Sequence, residues 1–240
     1  MTLTVRFDGR NYDEIRETTI ERNYLKYPEG SVLITQGNTK IIVSASIQES
    51  VPRFLAETGS GWITAEYSML PRATQYRNNR ERQRVKGRTY EIERLIGRSM
   101  RAAFNYEKIG ERTIKIDCDV IQADGGTRCA SITGAFVAVF DAINYLYNEQ
   151  MIYKFPDYSI TAAVSLGIKA DNILLDLNYE EDSTVDVDLN IIMNDNLELI
   201  EIQGTAEGKP FNQEQLNKMV DVGRTGILKL IQIQKKVLNL

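Results

Sequence analysis

The chain has 240 residues, 42% hydrophobic and 26% charged, with only five prolines; this composition excludes collagen-like, mucin-like and disordered classes and allows a core burying roughly 70% of the surface the unfolded chain exposes. Histidine is absent, which excludes imidazole-based triads and His-ligated zinc and leaves the chemistry to carboxylates, Lys, Arg, Tyr or metal ions. A net charge of −4 argues weakly against nucleic acid as a partner, because affinity follows local cations and not the overall balance.

The first ten residues lack the basic start and apolar stretch of a secretory signal, so a cytoplasmic protein is expected. Ser31 to Gln36 and Lys40 to Ile47 read as strands joined at Gly37-Asn38, a strong hairpin turn. Trp62 to Met69 is a third strand. From Thr89 to about Phe104, Ile92, Leu95, Ile96, Met100 and Ala103 share one helical face, with Thr89 placed as N-cap. Thr113 to Ile121 alternates, with apolar residues at 114, 116, 118 and 120, as a half-buried strand does. A second helix is predicted from about Ala130 to Tyr147. Strand patterns return at Thr161 to Ile168, Ile173 to Leu177, Thr184 to Met193 and Leu197 to Gln203, and a last helix starts at Gln213. Cys118 and Cys129 are too few for a disulfide scaffold and read as buried free thiols. No linker or repeat divides residues 1–240, so one domain of mixed sheet covered by helices, an α+β fold, is expected.

The positive charge is concentrated. Between Arg72 and Arg101 lie ten basic and three acidic residues, a local excess of seven charges that leaves the rest of the chain at −11. A solvated basic loop and a polyanion footprint both fit such a run. The preponderance of Arg, suited to bidentate phosphate contact, and the interleaved Tyr76, Asn78 and Asn79 favour the footprint.

Two further motifs carry chemistry. In Gln122-Ala-Asp-Gly-Gly-Thr-Arg128, between a strand and a helix, two glycines permit a tight turn that presents N–H groups. Thr127 adds a hydroxyl, Arg128 a charged fork, and the following helix points its positive end at the same place. The spacing is not that of a Walker loop. In Asp176-Leu-Asn-Tyr-Glu-Glu-Asp182, with Asp186 and Asp188 just beyond, a chain reversal would bring Asp176 and Asp182 to one point. A magnesium ion shared with a substrate phosphate is the common way to hold two such carboxylates together. An acidic loop facing water is the alternative. Arg88 joins the phosphate set, and the conjunction of phosphate, metal and polyanion sites fits phosphoryl transfer on nucleic acid.

Phe7-Asp-Gly-Arg10, Val51-Pro-Arg53, Thr64-Ala-Glu-Tyr67, Met69-Leu-Pro-Arg72, Gly87-Arg88, Ile92-Glu-Arg-Leu-Ile-Gly-Arg98, the Gln122–Arg128 and Asp176–Asp182 motifs and Gln203-Gly-Thr-Ala-Glu-Gly208 together resemble the ribonuclease PH family, in the family's order over about residues 6–230. The resemblance implies a ribosomal protein S5 domain 2-like fold and a phosphorolytic 3′→5′ exoribonuclease that trims precursor tRNA with inorganic phosphate as co-substrate and works as a homo-hexameric ring built from dimers. It implies Arg88, Gly126, Thr127 and Arg128 as phosphate ligands, Asp176 and Asp182 as catalytic residues holding Mg²⁺ or Mn²⁺, and Arg72, Arg77 and Arg80 as RNA guides. Asn38, Gln75-Tyr76 and Cys129 depart from the family's usual residues without removing any of these groups. A non-catalytic RNA-binding ring subunit is the alternative from another class.

Overall fold

The computed structural model describes residues 6, 8–80 and 87–240. Phe7 of the first motif and Arg82, Arg84 and Lys86 of the basic run lie outside the described residues.

Strands β1 (Thr18–Arg22), β2 (Gly30–Gln36), β3 (Thr39–Gln48), β4 (Trp62–Met69) and β5 (Thr113–Gln122) form a first sheet in the order β1-β2-β3-β5-β4. All its pairs are antiparallel except β4–β5. Parallel neighbours need a crossover, and α1 (Gly87–Ala103) lies on that connection, packing its Ile92, Leu95, Ile96 and Met100 stripe against β4. Strands β6 (Thr161–Lys169), β7 (Asn172–Leu175), β8 (Val187–Asn194) and β9 (Leu199–Ala206) form a second, antiparallel sheet, β7-β6-β8-β9.

Helix α2 (Thr127–Asn148) packs against β2 and β3 of one sheet and β6 of the other. A helix covered on both sides must be apolar around most of its circumference, and fifteen of its 22 residues, from Cys129 to Leu146, are buried. The buried apolar residues of α2 and of both sheets, apart from Leu174 of β7, belong to one continuous cluster; Leu174 packs separately with Leu177 and Val185. Helix α4 (Gln213–Leu238) covers β6 and β7 and touches β1. It starts with a capping box in which Asn212 and Gln215 each accept the other's backbone N–H. Cys118 on β5 and Cys129 at the start of α2 are buried and unbridged.

The structure corrects the sequence reading at several boundaries. β1 was not expected, because Ile20 is its only buried residue and no alternation marks it. Thr89 lies inside α1, which is already helical at Gly87, so it is not the cap. α2 begins at Thr127, three residues early, because the glycine turn delivers the chain directly into the helix. A four-residue helix, α3 (Tyr179–Asp182), stands where a loop was expected, closed by a capping box between Asn178 and Glu181, and it delays β8 to Val187.

Candidate active site

The glycine turn leaves the start of α2 without a side-chain cap. Gly125 (φ 75°) and Gly126 (φ 64°) both occupy the left-handed region that only glycine enters without strain. A Cβ on Gly125 would sit 2.4 Å from the Leu177 carbonyl oxygen, so no side chain fits there. Gly126 is the N-cap of α2 and offers no side-chain oxygen to the helix. The first N–H groups of a 22-residue helix are therefore left to an incoming acceptor, at the positive end of the helix dipole. Thr39 holds the turn from below: its hydroxyl donates to the Gly125 carbonyl at 2.8 Å and accepts from the Asp124 N–H at 3.0 Å.

Three side chains complete this pocket. The Tyr67 hydroxyl donates to Thr127 Oγ1 at 2.9 Å, which leaves the Thr127 proton free to donate outward. Burial pushes the Tyr67 phenol upward, against the Thr127 bond and the Arg88 charge, so it stays protonated. Arg128 Nη1 is aimed by two acceptors, Glu91 Oε1 and Gln203 Oε1, each at 3.1 Å. Arg88 is exposed on α1 and lines, with Tyr67, a cavity of about 600 Å³ that also takes in Asn78, Asn79 and Arg80. Gln203 and Glu91 were not among the expected site residues; only their reach to Arg128 reveals them.

The expected carboxylate pair is not the one that forms. Asp176 is 1% exposed, and both of its oxygens are taken by Arg16: the backbone N–H and Nε donate to Oδ2 at 2.7 and 3.0 Å, and Nη2 donates to Oδ1 at 2.6 Å. Asp176 is thus committed to a buried ion pair behind the glycine turn. The acid that couples to Asp182 is Asp188, the second residue of β8. Burial, then the Asp182 charge, pushes the Asp188 carboxyl up to about 6, with Arg128 and Arg88 opposing the rise. Asp182 is raised by burial and lowered by Arg88 and Arg128 in turn. Two acids and two arginines therefore face one space. Asp188 Oδ1 is buried with no hydrogen-bond partner, an expensive arrangement unless a cation or donor arrives there.

Arg72, Arg77 and Arg80 are all exposed, together with Tyr76. Their loop is pinned to the glycine turn, because the Ala123 N–H donates to the Ala73 carbonyl at 2.8 Å. The basic run divides further along: Arg98 is bidentate to Glu201, and Arg101 donates to the Ile63 carbonyl while lying 4.3 Å over the Trp62 ring. Those two serve the fold and leave the footprint to the preceding residues.

Known proteins resemble this chain along nearly its whole length. Residues 14–143 match domain 1, and residues 159–226 domain 2, of the 3′ exoribonuclease family. A ribonuclease PH from Bacillus pumilus (strain SAFR-032) is 56% identical over 236 residues, covering 97% of this chain and 98% of that protein. Among solved structures, an Archaeoglobus fulgidus exosome with RNA bound to the active site superposes with a TM-score of 0.81 at 21% identity, over 95% of this chain and 92% of that one. Rice (Oryza sativa) Rrp46 does so with a TM-score of 0.78 at 17% identity, over 97% and 100%. At such identities the structural likeness concerns the fold alone, a mixed α+β arrangement of the ribonuclease PH type.

Proposed function

The chain belongs to the 3′ exoribonuclease family, and from that membership and its site we infer that it is a phosphorolytic 3′→5′ exoribonuclease of the ribonuclease PH type. It removes 3′-terminal nucleotides from precursor tRNA and other RNA with inorganic phosphate as co-substrate, releases nucleoside diphosphates, and in reverse adds nucleotides from them. The observation that carries this reading is the convergence of an uncapped helix N-terminus, two arginines and the Asp182–Asp188 pair on one space.

Phosphate and RNA are both anions, and bringing them into bonding distance costs Coulomb energy unless cations lie between them. Arg128, aimed by Glu91 and Gln203, and the exposed Arg88 supply two such cations on the phosphate side. The Thr127 hydroxyl and the N–H groups that follow Gly126 take the remaining oxygens. A phosphate oxygen then attacks the last phosphorus of the RNA; the bond from phosphorus to the 3′ oxygen of the preceding nucleotide breaks, and that oxygen leaves with a proton. The nucleophile is already ionised at neutral pH, so positioning and charge stabilisation carry the barrier reduction.

The donor set fits a divalent metal: two neighbouring carboxylates, one with a buried oxygen lacking a partner, repel each other until a cation lies between them. Asp182 and Asp188 would hold Mg²⁺, or Mn²⁺ in its place, which would neutralise charge on the scissile phosphate and the departing oxygen. Arg72, Arg77 and Arg80 guide RNA toward the turn. The proposal extends to a homo-hexameric ring of dimers, consistent with the multi-subunit exosomes that share the fold, and to a cytoplasmic location, which two buried unbridged thiols suit.

The test is incubation with a 3′-extended tRNA and magnesium, with and without phosphate, followed by chromatography of the released nucleotides. Diphosphates appearing only with phosphate are expected. Monophosphates without phosphate would mean hydrolysis, and RNA binding with no release would favour the non-catalytic ring subunit.

A further inference from the structure

Arg16 was not among the expected site residues, yet every nitrogen of its guanidinium is used. Nε and Nη2 grip the Asp176 carboxylate. Nη1 donates to the Asp124 carbonyl, and Nη2 reaches the Gly125 carbonyl at 3.4 Å. The side chain is only 6% exposed and has no slack on either side. A Cβ on Gly126 would stand 2.9 Å from Nη2, and one on Gly37 only 2.6 Å from Cδ. The fork thus fills the space between the hairpin turn at Gly37 and the underside of the phosphate turn.

What the fork joins are two loops from different sheets. One follows β5 and becomes the phosphate turn; the other follows β7 and leads to Asp182. Asp176 sits in the left-handed region (φ 57°), an unfavourable conformation for a non-glycine that its bonds must hold. Its N–H donates to the Ser165 carbonyl at 2.7 Å, and its carbonyl accepts from Arg6 at 2.9 Å and Arg10 at 3.0 Å. From there the Asn178–Glu181 capping box, with Glu181 paired to Arg6, carries the geometry to Asp182.

We propose that Arg16 is a positioning residue for phosphorolysis: by tying the Asp124–Gly125 carbonyls to Asp176, it sets the separation between the phosphate-holding turn and the segment bearing Asp182. The attacking phosphate and the carboxylate side of the site come from different loops, and an error of about 1 Å between reacting groups costs on the order of a hundredfold in rate. This claim rests on the phosphorolytic reading above.

The test is Arg16→Lys in the full-length protein. Lysine keeps a positive charge opposite Asp176 but lacks the fork that reaches the Asp124 and Gly125 carbonyls. With initial rates normalised to the folded fraction from circular dichroism, KM for phosphate is expected to rise about tenfold and kcat to fall about ten- to a hundredfold, while KM for RNA stays within about twofold. A purely structural role would lower the folded fraction and leave these constants at their wild-type values; that result overturns the proposal. Should Arg16→Lys fail to fold, Thr39→Val decides, because it frees the same turn from the far side without touching Asp176. It is expected to raise KM for phosphate at least threefold with kcat within about twofold, and an unchanged KM refutes the idea. Wild-type protein that releases no diphosphates brings down the phosphorolytic reading itself, whereas phosphorolytic wild type with unaltered variants brings down only the role of Arg16.

Discussion

Replacing Asp188 by Asn should stabilise the metal-free protein while disabling it. The wild-type carboxyl is pushed from an ordinary 3.8 to about 6 by burial and by Asp182, and its Oδ1 has no partner. A shift of that size corresponds to about 3 kcal/mol at about 1.4 kcal/mol per pH unit, and partial solvent exposure reduces it to about 2 kcal/mol. Asn has nearly the same shape and no charge, so above pH 6 the variant escapes that cost. A raised carboxyl favours folding while protonated, so its contribution is fully present below about pH 4 and is lost as the pH rises through 6. The stability gap between Asp188→Asn and wild type should therefore be small near pH 4, open between pH 4 and 6, and level off above. At pH 8 with a chelator present, Tm should rise by about 4–8 °C for a chain of this size. Urea melts across the pH range at fixed protein concentration measure the gap. A variant less stable than wild type at pH 8, or a gap that does not vary with pH, would refute the account of Asp188 as a strained carboxylate awaiting a cation. The same variant should lose most of its turnover, and Mg²⁺ should raise the Tm of wild type but not of the variant.

Arg128→Ala should abolish diphosphate release even at saturating phosphate while RNA affinity in a filter-binding assay changes little; undiminished phosphorolysis would remove Arg128 from the phosphate set. Arg77→Ala and Arg80→Ala should each weaken tRNA binding and reduce the slope of log affinity against log salt by about one, as the loss of a phosphate contact does. Tyr67→Phe leaves Thr127 Oγ1 without its donor, and KM for phosphate should rise several-fold, by about 1 kcal/mol of binding. Arg22→Ala should cost about 3 kcal/mol in urea melts, because it strips the partner from the buried Asp141 and the cap from the Val237 carbonyl while leaving the site intact.

The repetitive parts of the fold were legible, and the reasons are local. β5 alternates and α1 carries a stripe, so side-chain period alone gives each away. The parallel pairing of β4 with β5 was not readable, because period says which face a residue takes and not which strand lies beside it. β1 stayed hidden since an edge strand with one buried residue has no alternation to detect. At the site, the glycine turn could be read because φ above zero and an uncapped helix start need those residue types. The acids could not be sorted by type: Asp176, Asp182 and Asp188 are chemically identical, and only the long-range meeting with Arg16 takes Asp176 out of the site and leaves Asp188 in it.

The two thiols turn the burial of this core into a clock. Burial pushes both Cys118 and Cys129 far upward, and Cys129 is further engaged by donating to Asn190 Oδ1 at 3.2 Å, so neither forms a reactive thiolate while the chain is closed. Alkylation must wait for an opening, and its rate then counts openings. Cys129 lies in the first turn of the helix whose start is the proposed phosphate site, whereas Cys118 lies in a central strand. Phosphate should slow labelling of the first far more than of the second, so an unmodified chain reports ligand-dependent breathing of its own catalytic turn against an internal standard.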